Sequence, residues 1–332
     1  MNRSRTPTII AWVLGLLLAS GGVSGAHHVA LHSGPFQAII LAIAIHPHNS
    51  KLVYLGSFGR GVFRSKDGGK VWITSNTGLE NLEVQSLAIN PATPSQLYAG
   101  TDAGVFKSTD GGEHWKLSST ELADRNIRVL AIDSSTPTII YAGTDAGVLK
   151  STDGGASWHA ASGGLTSTDV RALVINPQDP RIVYAATFEG VFKSSDGGVH
   201  WTSVSAGLED ENIRTILVDA QRPSVLYAGA GTQGIFKSKD AGASWRPISQ
   251  EIGELHVMAL ASLPSSSTIY AGTTSGLFKS ENLGSTWEQV EPDSFSLSIT
   301  SLAADPSAPK TLYVGTGGLL FKSVDGGQNW SG

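Results

Sequence analysis

Six aspartates and one asparagine stand at matching places along this chain: Asp67, Asp110, Asp153, Asp196, Asp240, Asn282 and Asp325. Carboxylates in number could act as general acid and base or ligate calcium. Their spacing argues against both roles. Successive copies lie about 43 residues apart, so each belongs to its own small unit, too far from the next to form the carboxylate pair that a hydrolase needs. Each also sits in the pattern Ser-x-Asp-Gly-Gly-x-x-Trp, called the box below. The boxes run from Ser65, Ser108, Ser151, Ser194, Ser238, Ser280 and Ser323 to Trp72, Trp115, Trp158, Trp201, Trp245, Trp287 and Trp330. A short carboxylate in such a turn accepts backbone N–H bonds, and the glycines supply positive φ without steric cost. The fifth box has Ala241 for its first glycine and the sixth reads Glu281-Asn282-Leu283-Gly284; both are expected to turn the chain.

A second set of candidates appears where the copies differ. Arg128, Arg171 and Arg214 occupy one repeat position, at which the other copies carry Leu41, Gln85, Met258 and Thr300. Three guanidinium groups in an arc suit a carboxylate or phosphate by bidentate hydrogen bonding, and Arg125 and Arg60 extend the patch. Asp124, Asp169, Glu209, Asp210 and Glu211 adjoin the arc and would neutralise it as ordinary salt bridges. Of ten phenylalanines, Phe36, Phe58, Phe188 and Phe295 fall outside the repeat position held by the other six. Clustered exposed aromatics are typical partner anchors. All seven tyrosines share one repeat position, so none is spare. The repeated Arg64, Lys107, Lys150, Lys193, Lys237, Lys279 and Lys322 are expected to be solvated. His27, His28, His32, His46 and His48 form the one histidine group, unaccompanied by cysteine, an HExxH motif or a calcium loop. No metal and no cofactor is expected.

The elements that must position these residues are strands. In residues 126–165, Ile127 to Ile132 and Ile139 to Gly143 are short apolar runs separated by the turn cluster Ser134-Ser-Thr-Pro137. Val148 to Ser151 then leads into the box, and Ser157 to Ala160 leads out. Four strands in about 43 residues is the size of one propeller blade, and the sevenfold repeat predicts an all-β, seven-bladed ring of four-stranded antiparallel sheets. Approximate repeat boundaries are 38–82, 83–125, 126–168, 169–211, 212–255, 256–297 and 298–332. The last copy stops as its fourth strand begins. Alignment puts His28 opposite Trp158, so His28 to Leu31 is expected to close the ring, with 27–37 serving as closing strand and link. Turns between second and third strands, and links between blades, open on the face opposite the boxes. The arginine arc and the four spare phenylalanines are assigned there.

The 332 residues are 40% hydrophobic and 15% charged, which suits a folded globular protein. Residues 1–26 read as a secretory signal peptide: Arg3 and Arg5, an apolar run from Ile9 to Ala19, then Ser24 and Ala26 as small residues before a cut. The run is short for a membrane span. The formal charge of −5 becomes −7 once the two leader arginines are removed. An acidic chain without basic runs is a poor partner for nucleic acid or anionic membrane. The expected location is periplasmic, extracellular or lumenal.

The boxes resemble the Asp box, or bacterial neuraminidase repeat, and the resemblance covers residues 28–332. Asp boxes occur in sialidases, xyloglucanases, sortilin-type receptors and the photosystem II assembly and stability factors, so the likeness is strong for fold and weak for chemistry. In build, a leader followed by one propeller, the chain is most similar to the last group, which implies structural boxes and no catalysis. A sialidase would show a Phe/Tyr-Arg-Ile-Pro stretch, an arginine triad and a tyrosine nucleophile; the stretch is absent and the tyrosines are committed to the repeat. A xyloglucanase of the related type uses two tandem propellers, and one fits here.

The expectation is therefore an exported, monomeric, non-catalytic propeller that binds a protein or peptide on the face opposite the boxes, with an assembly-factor role its sharpest form. Phe36, Phe58, Phe188 and Phe295 would anchor the partner while Arg128, Arg171 and Arg214 orient an acidic group. The alternative is a glycan-binding propeller or a glycoside hydrolase.

Overall fold

Alternating short strands and glycine-rich turns build seven antiparallel sheets in the computed structural model of the protein, which describes residues 38–290 and 297–332. The leader, the histidines at 27, 28 and 32, the expected closing strand, Phe36 and Phe295 lie outside the described residues. Each sheet meanders outward in sequence order. In the third, Ile127–Ile132 is innermost, followed by Ile140–Thr144, Gly147–Ser151 and His159–Ala160. Six sheets have four strands. The seventh has Ile299–Ala304, Leu312–Thr316 and Leu320–Ser323, with a single bridge from Lys322 to Ser331 where a fourth strand would begin.

The core lies between sheets. Tyr184 and Val191 of the fourth sheet, for example, share one apolar cluster with Ile213, Leu226, Phe236 and Trp245 of the fifth. Because each sheet is covered on both faces, every residue of every second strand is buried. Small residues at the middle of that strand allow the close approach: a Cβ on Gly143 would stand 2.7 Å from Val170 Cγ1 of the next sheet. The ring is closed by the same contacts. Ile40 O of the first sheet accepts hydrogen bonds from Thr300 Oγ1 at 2.5 Å and Ser301 Oγ at 3.0 Å of the seventh.

The boxes are self-satisfied turns. In the third, Asp153 Oδ1 accepts from Ser151 Oγ at 2.8 Å and from Ser157 N at 2.9 Å, while Ser157 Oγ donates to Oδ2 at 2.6 Å. Gly154 and Gly155 take φ of 70° and 89°. Ala241 and Leu283 adopt the same left-handed conformation, with φ of 57° and 59°, so the two irregular copies do turn.

One expectation is corrected. The repeated cations are not solvated. Each tyrosine hydroxyl donates to the main-chain carbonyl of the first glycine position in the next blade's box: Tyr98 to Gly154 at 2.9 Å, Tyr141 to Gly197 at 2.9 Å, and Tyr313 across the ring closure to Gly68 at 3.1 Å. Outside the sixth blade the cation beside the tyrosine reaches the same oxygen, as Lys107 Nζ does to Gly154 O and Lys150 Nζ to Gly197 O, both at 2.7 Å. Each of these ammonium groups also lies 5.3 Å from the centre of its neighbouring tyrosine ring. Arg64 and Lys279 are buried outright. Alternation sends these side chains toward the adjacent sheet, where a carbonyl at the box turn offers a partner.

Candidate functional site at the channel mouth

A backbone irregularity recurs in every blade at the arginine position. The pairing of first and second strands skips one residue each time, leaving Gln85 between Val84 and Ser86, Arg128 between Ile127 and Val129, Arg171 between Val170 and Ala172, and Arg214 between Ile213 and Thr215. A bulge of this kind re-aims its side chain. The spacing of the arginines was visible in sequence; the bulge that projects them was not, because one inserted residue leaves the apolar pattern nearly intact.

From this position the side chains of blades two to four reach the residue that precedes the next blade's innermost strand. Gln85 Nε2 donates to Asn126 Oδ1 at 2.8 Å. Arg128 Nη1 pairs with Asp169 Oδ1. Arg171 Nη1 donates to Asn212 Oδ1 at 2.9 Å, and its Nη2 meets Asp169 Oδ2 at 3.3 Å. The relay ends at Arg214, because the corresponding residue before Val257 is His256. Asp210, the other nearby acid, is engaged by Thr232 N at 2.6 Å, Thr232 Oγ1 at 2.8 Å and Asn212 N at 3.0 Å. Among the described residues Arg214 makes no hydrogen bond and no ion pair, and its buried Nε has no partner. Burial first, then the charge of Arg171, hold its guanidinium below the ordinary range, with Asp210 opposing. The three arginines therefore differ: two are clamped around Asp169 and one is available. Asp124, Glu209 and Glu211 form no ion pair with them among the described residues.

Aromatic and apolar groups flank this arc. Phe188 is 52% exposed and lies under the Arg171 guanidinium, 5.1 Å from ring centre to Cζ. Phe58 is 53% exposed, and its N–H bonds Ile39 O at 3.0 Å. Leu82 O accepts from Gly61 N at 2.9 Å, and Ile39, Phe58 and Leu82 are all exposed. Arg60 and Arg125 are exposed. The bulge positions thus carry Gln85, Arg128, Arg171 and Arg214 in blades two to five, while the exposed apolar Ile39, Phe58 and Leu82 belong to the first blade and its link.

At the charged end Glu83 and Asp102 are in hydrogen-bonding contact, and that contact first, burial second, raises the Glu83 carboxyl. The described histidines of the metal candidate group have another task. His46 Nδ1 accepts the His48 N–H at 3.1 Å, the place taken in the next blade by Asn90 Oδ1 toward Ala92 N at 2.9 Å. His46 is a turn cap. Among the described residues no cluster of three metal-ligating side chains occurs, and no helix is long and apolar enough to cross a membrane.

The architecture defines the chain as a seven-bladed β-propeller. No protein-family profile matches it, and no curated protein matches it in sequence. Solved structures do. It is similar to the GH74 xyloglucanase from Xanthomonas campestris, with a TM-score of 0.73, 18% identity, 90% of this chain and 53% of that one covered. It thus spans about half the length of that enzyme. It is also similar to YCF48 bound to D1 peptide, with a TM-score of 0.68, 17% identity and coverage of 88% and 95%. YCF48 from Cyanidioschyzon merolae gives 0.65, 17%, 87% and 96%. At these identities the likeness is one of fold.

Proposed function

We propose that residues 27–332 form an exported, non-catalytic Asp-box propeller that binds a protein or peptide segment on the mouth face, residues 1–26 being its signal peptide. The single observation behind this reading is Arg214: a half-buried guanidinium, re-aimed by a bulge and, among the described residues, left without a partner at the end of a relay, is a receptor for a carboxylate. Arg171 supports it, and the Phe58, Ile39 and Leu82 patch takes apolar side chains of the same segment. The match in length and fold to a structure of YCF48 with a bound peptide supports a peptide partner, and an assembly or stability role follows by analogy.

The test is a peptide array in which every sequence is presented with a free and with an amidated C-terminus. Preference for free carboxylates, lost about tenfold or more in Arg214→Ala and retained in Glu209→Gln, is the expected result. Equal capture of amidated peptides would count against the site. The likeness to a xyloglucanase favours a second reading, glycan binding or hydrolysis; turnover of xyloglucan or of fluorogenic sialosides by the wild-type chain would replace the first reading with this one.

A further inference from the structure

We propose that the outer rim of the fifth blade binds a dianionic phosphate group, held between Lys239 and Arg246 with Lys237 behind them. These residues belong to the third and fourth strands and to the box that joins them. Lys237 of Ile235–Ser238 stands directly opposite Arg246 of Arg246–Pro247, so the two side chains leave the sheet on one face. Like charges in that register destabilise a sheet. Other blades avoid the clash: Arg64 faces Ile73, Lys150 faces His159, Lys193 faces Thr202 and Lys279 faces the acid Glu288. Among the described residues only the second blade repeats it, with Lys107 opposite Lys116.

The fifth blade adds a third cation. Lys239 takes the second place of its box, where the other copies have Lys66, Thr109, Thr152, Ser195, Glu281 and Val324. Lys66 approaches Glu113 at 3.7 Å, whereas Lys239 and Arg246 are exposed and form no ion pair among the described residues. Lys237 is anchored, its Nζ donating to Leu283 O at 2.6 Å. Burial first, then the charges of Lys239 and Arg222, lowers its pKa; Arg222 itself is paired with Asp219 at 2.6 Å. Asp240 is the one acid in the groove, and its own box occupies it: Oδ1 accepts from Ser238 Oγ at 2.8 Å and Ser244 N at 2.9 Å, and Oδ2 from Ser244 Oγ at 2.6 Å. Lys237, Lys239, Asp240, Ser244, Arg246 and Pro247 line a groove of about 470 Å³. Three cations against one carboxylate leave a local surplus of two positive charges, in a chain whose formal charge is −5. A phosphate monoester carries about −1.5 to −2 at pH 7 and offers three acceptor oxygens. Those oxygens suit a guanidinium fork beside an ammonium. A sulfate ester or a carboxylate, with a single charge, leaves the surplus half neutralised. Pro247 and Ile248 give the groove an apolar side for the carbon skeleton of an ester.

The groove shares no residue with the mouth and stands whatever the mouth binds. Amide NMR titrations of the full chain with phenyl phosphate, inorganic phosphate and phenyl sulfate, at about 0.15 M salt to screen weak surface contacts, test it. Phenyl phosphate should give saturable shifts at residues 237–248. Its affinity should fall about tenfold or more in the double variant Lys239→Gln/Arg246→Gln, persist in Lys239→Arg and in the second-blade variant Lys116→Gln, and weaken at about pH 5, where the phosphate regains a proton. Tighter binding of phenyl phosphate than of inorganic phosphate would support the site and identify an ester as its ligand; equal binding would support it and identify the free ion. Shifts that do not saturate with either phosphate would overturn the proposal. So would phenyl sulfate binding as tightly as phenyl phosphate, or an affinity unchanged in the double variant.

Discussion

His46 links a turn to pH near neutrality. Burial first, then the charge of His48, lowers its pKa below the ordinary 6.5, and only a ring with Nδ1 unprotonated accepts the His48 N–H. The folded-state value is depressed, so the cap's contribution is complete above about pH 6.5 and is lost as the pH falls below that value. We therefore expect His46→Asn, which restores the Asx cap of Asn90, to leave the thermal midpoint unchanged at pH 8 and to raise it relative to wild type at pH 5.5. Equal pH profiles of the two midpoints would refute the cap. The sequence showed a histidine pair and its lack of metal partners; only the turn geometry showed what the first histidine does instead. Arg214 teaches the same at the mouth, since its availability depends on His256, a residue 42 positions away in sequence.

Between neighbouring sheets, the tyrosine hydroxyl and the cation beside it converge on one carbonyl, which makes the loss of one donor cheap where the other remains. Tyr141→Phe leaves Lys150 on Gly197 O and should cost about 0.5 to 1.5 kcal/mol. The sixth blade differs. Lys279 turns to Glu281 of its own blade at 2.5 Å, and Tyr270 OH is the donor to Gly326 O at 2.6 Å. Tyr270→Phe should therefore cost more, about 1 to 3 kcal/mol, because it orphans a carbonyl. Urea unfolding of the two variants compares them directly, and equal losses would contradict the convergent-donor account. Arg64 is a further local variation: it keeps the bond to Gly111 O at 2.8 Å and adds an ion pair to Glu113 at 2.8 Å. That the seven tyrosines share one strand position was legible from spacing. That the cations accompany them into the interface was not, because an isolated strand has no neighbour to supply an acceptor.

Across the whole ring the buried tyrosines act together. Burial first pushes Tyr54, Tyr98, Tyr141, Tyr184 and Tyr227 up to about 12, and Tyr270 and Tyr313 higher still. In the unfolded chain they ionise near 10. The folded values are raised, so their contribution is complete below about pH 10 and is lost as the pH rises through about 12. Burial lowers Lys107, Lys150, Lys237 and Lys322, a smaller effect of opposite sign. We expect the urea midpoint to hold to about pH 10 and fall steeply by pH 12, with the fall spread over all blades because each hydroxyl spans two. A midpoint unchanged between pH 9 and pH 12 would show that the links contribute little.

Periodicity alone determined the sevenfold repeat, its strands, the closed box turns and the positions of tyrosine and arginine, because these depend on local residue types recurring at fixed spacing. Tertiary structure decided the rest. The bulge aims Arg128, Arg171 and Arg214 at the mouth; Asp169 binds the first two, and His256 leaves the third available. Lys107 and its equivalents go to a neighbour's carbonyl rather than to water. Apart from the bulge and the Arg171–Asp169 pair, which lie within a blade, these outcomes turn on contacts between adjacent blades, about 40 or more residues apart in sequence, which exist only once the sheets are stacked around the ring.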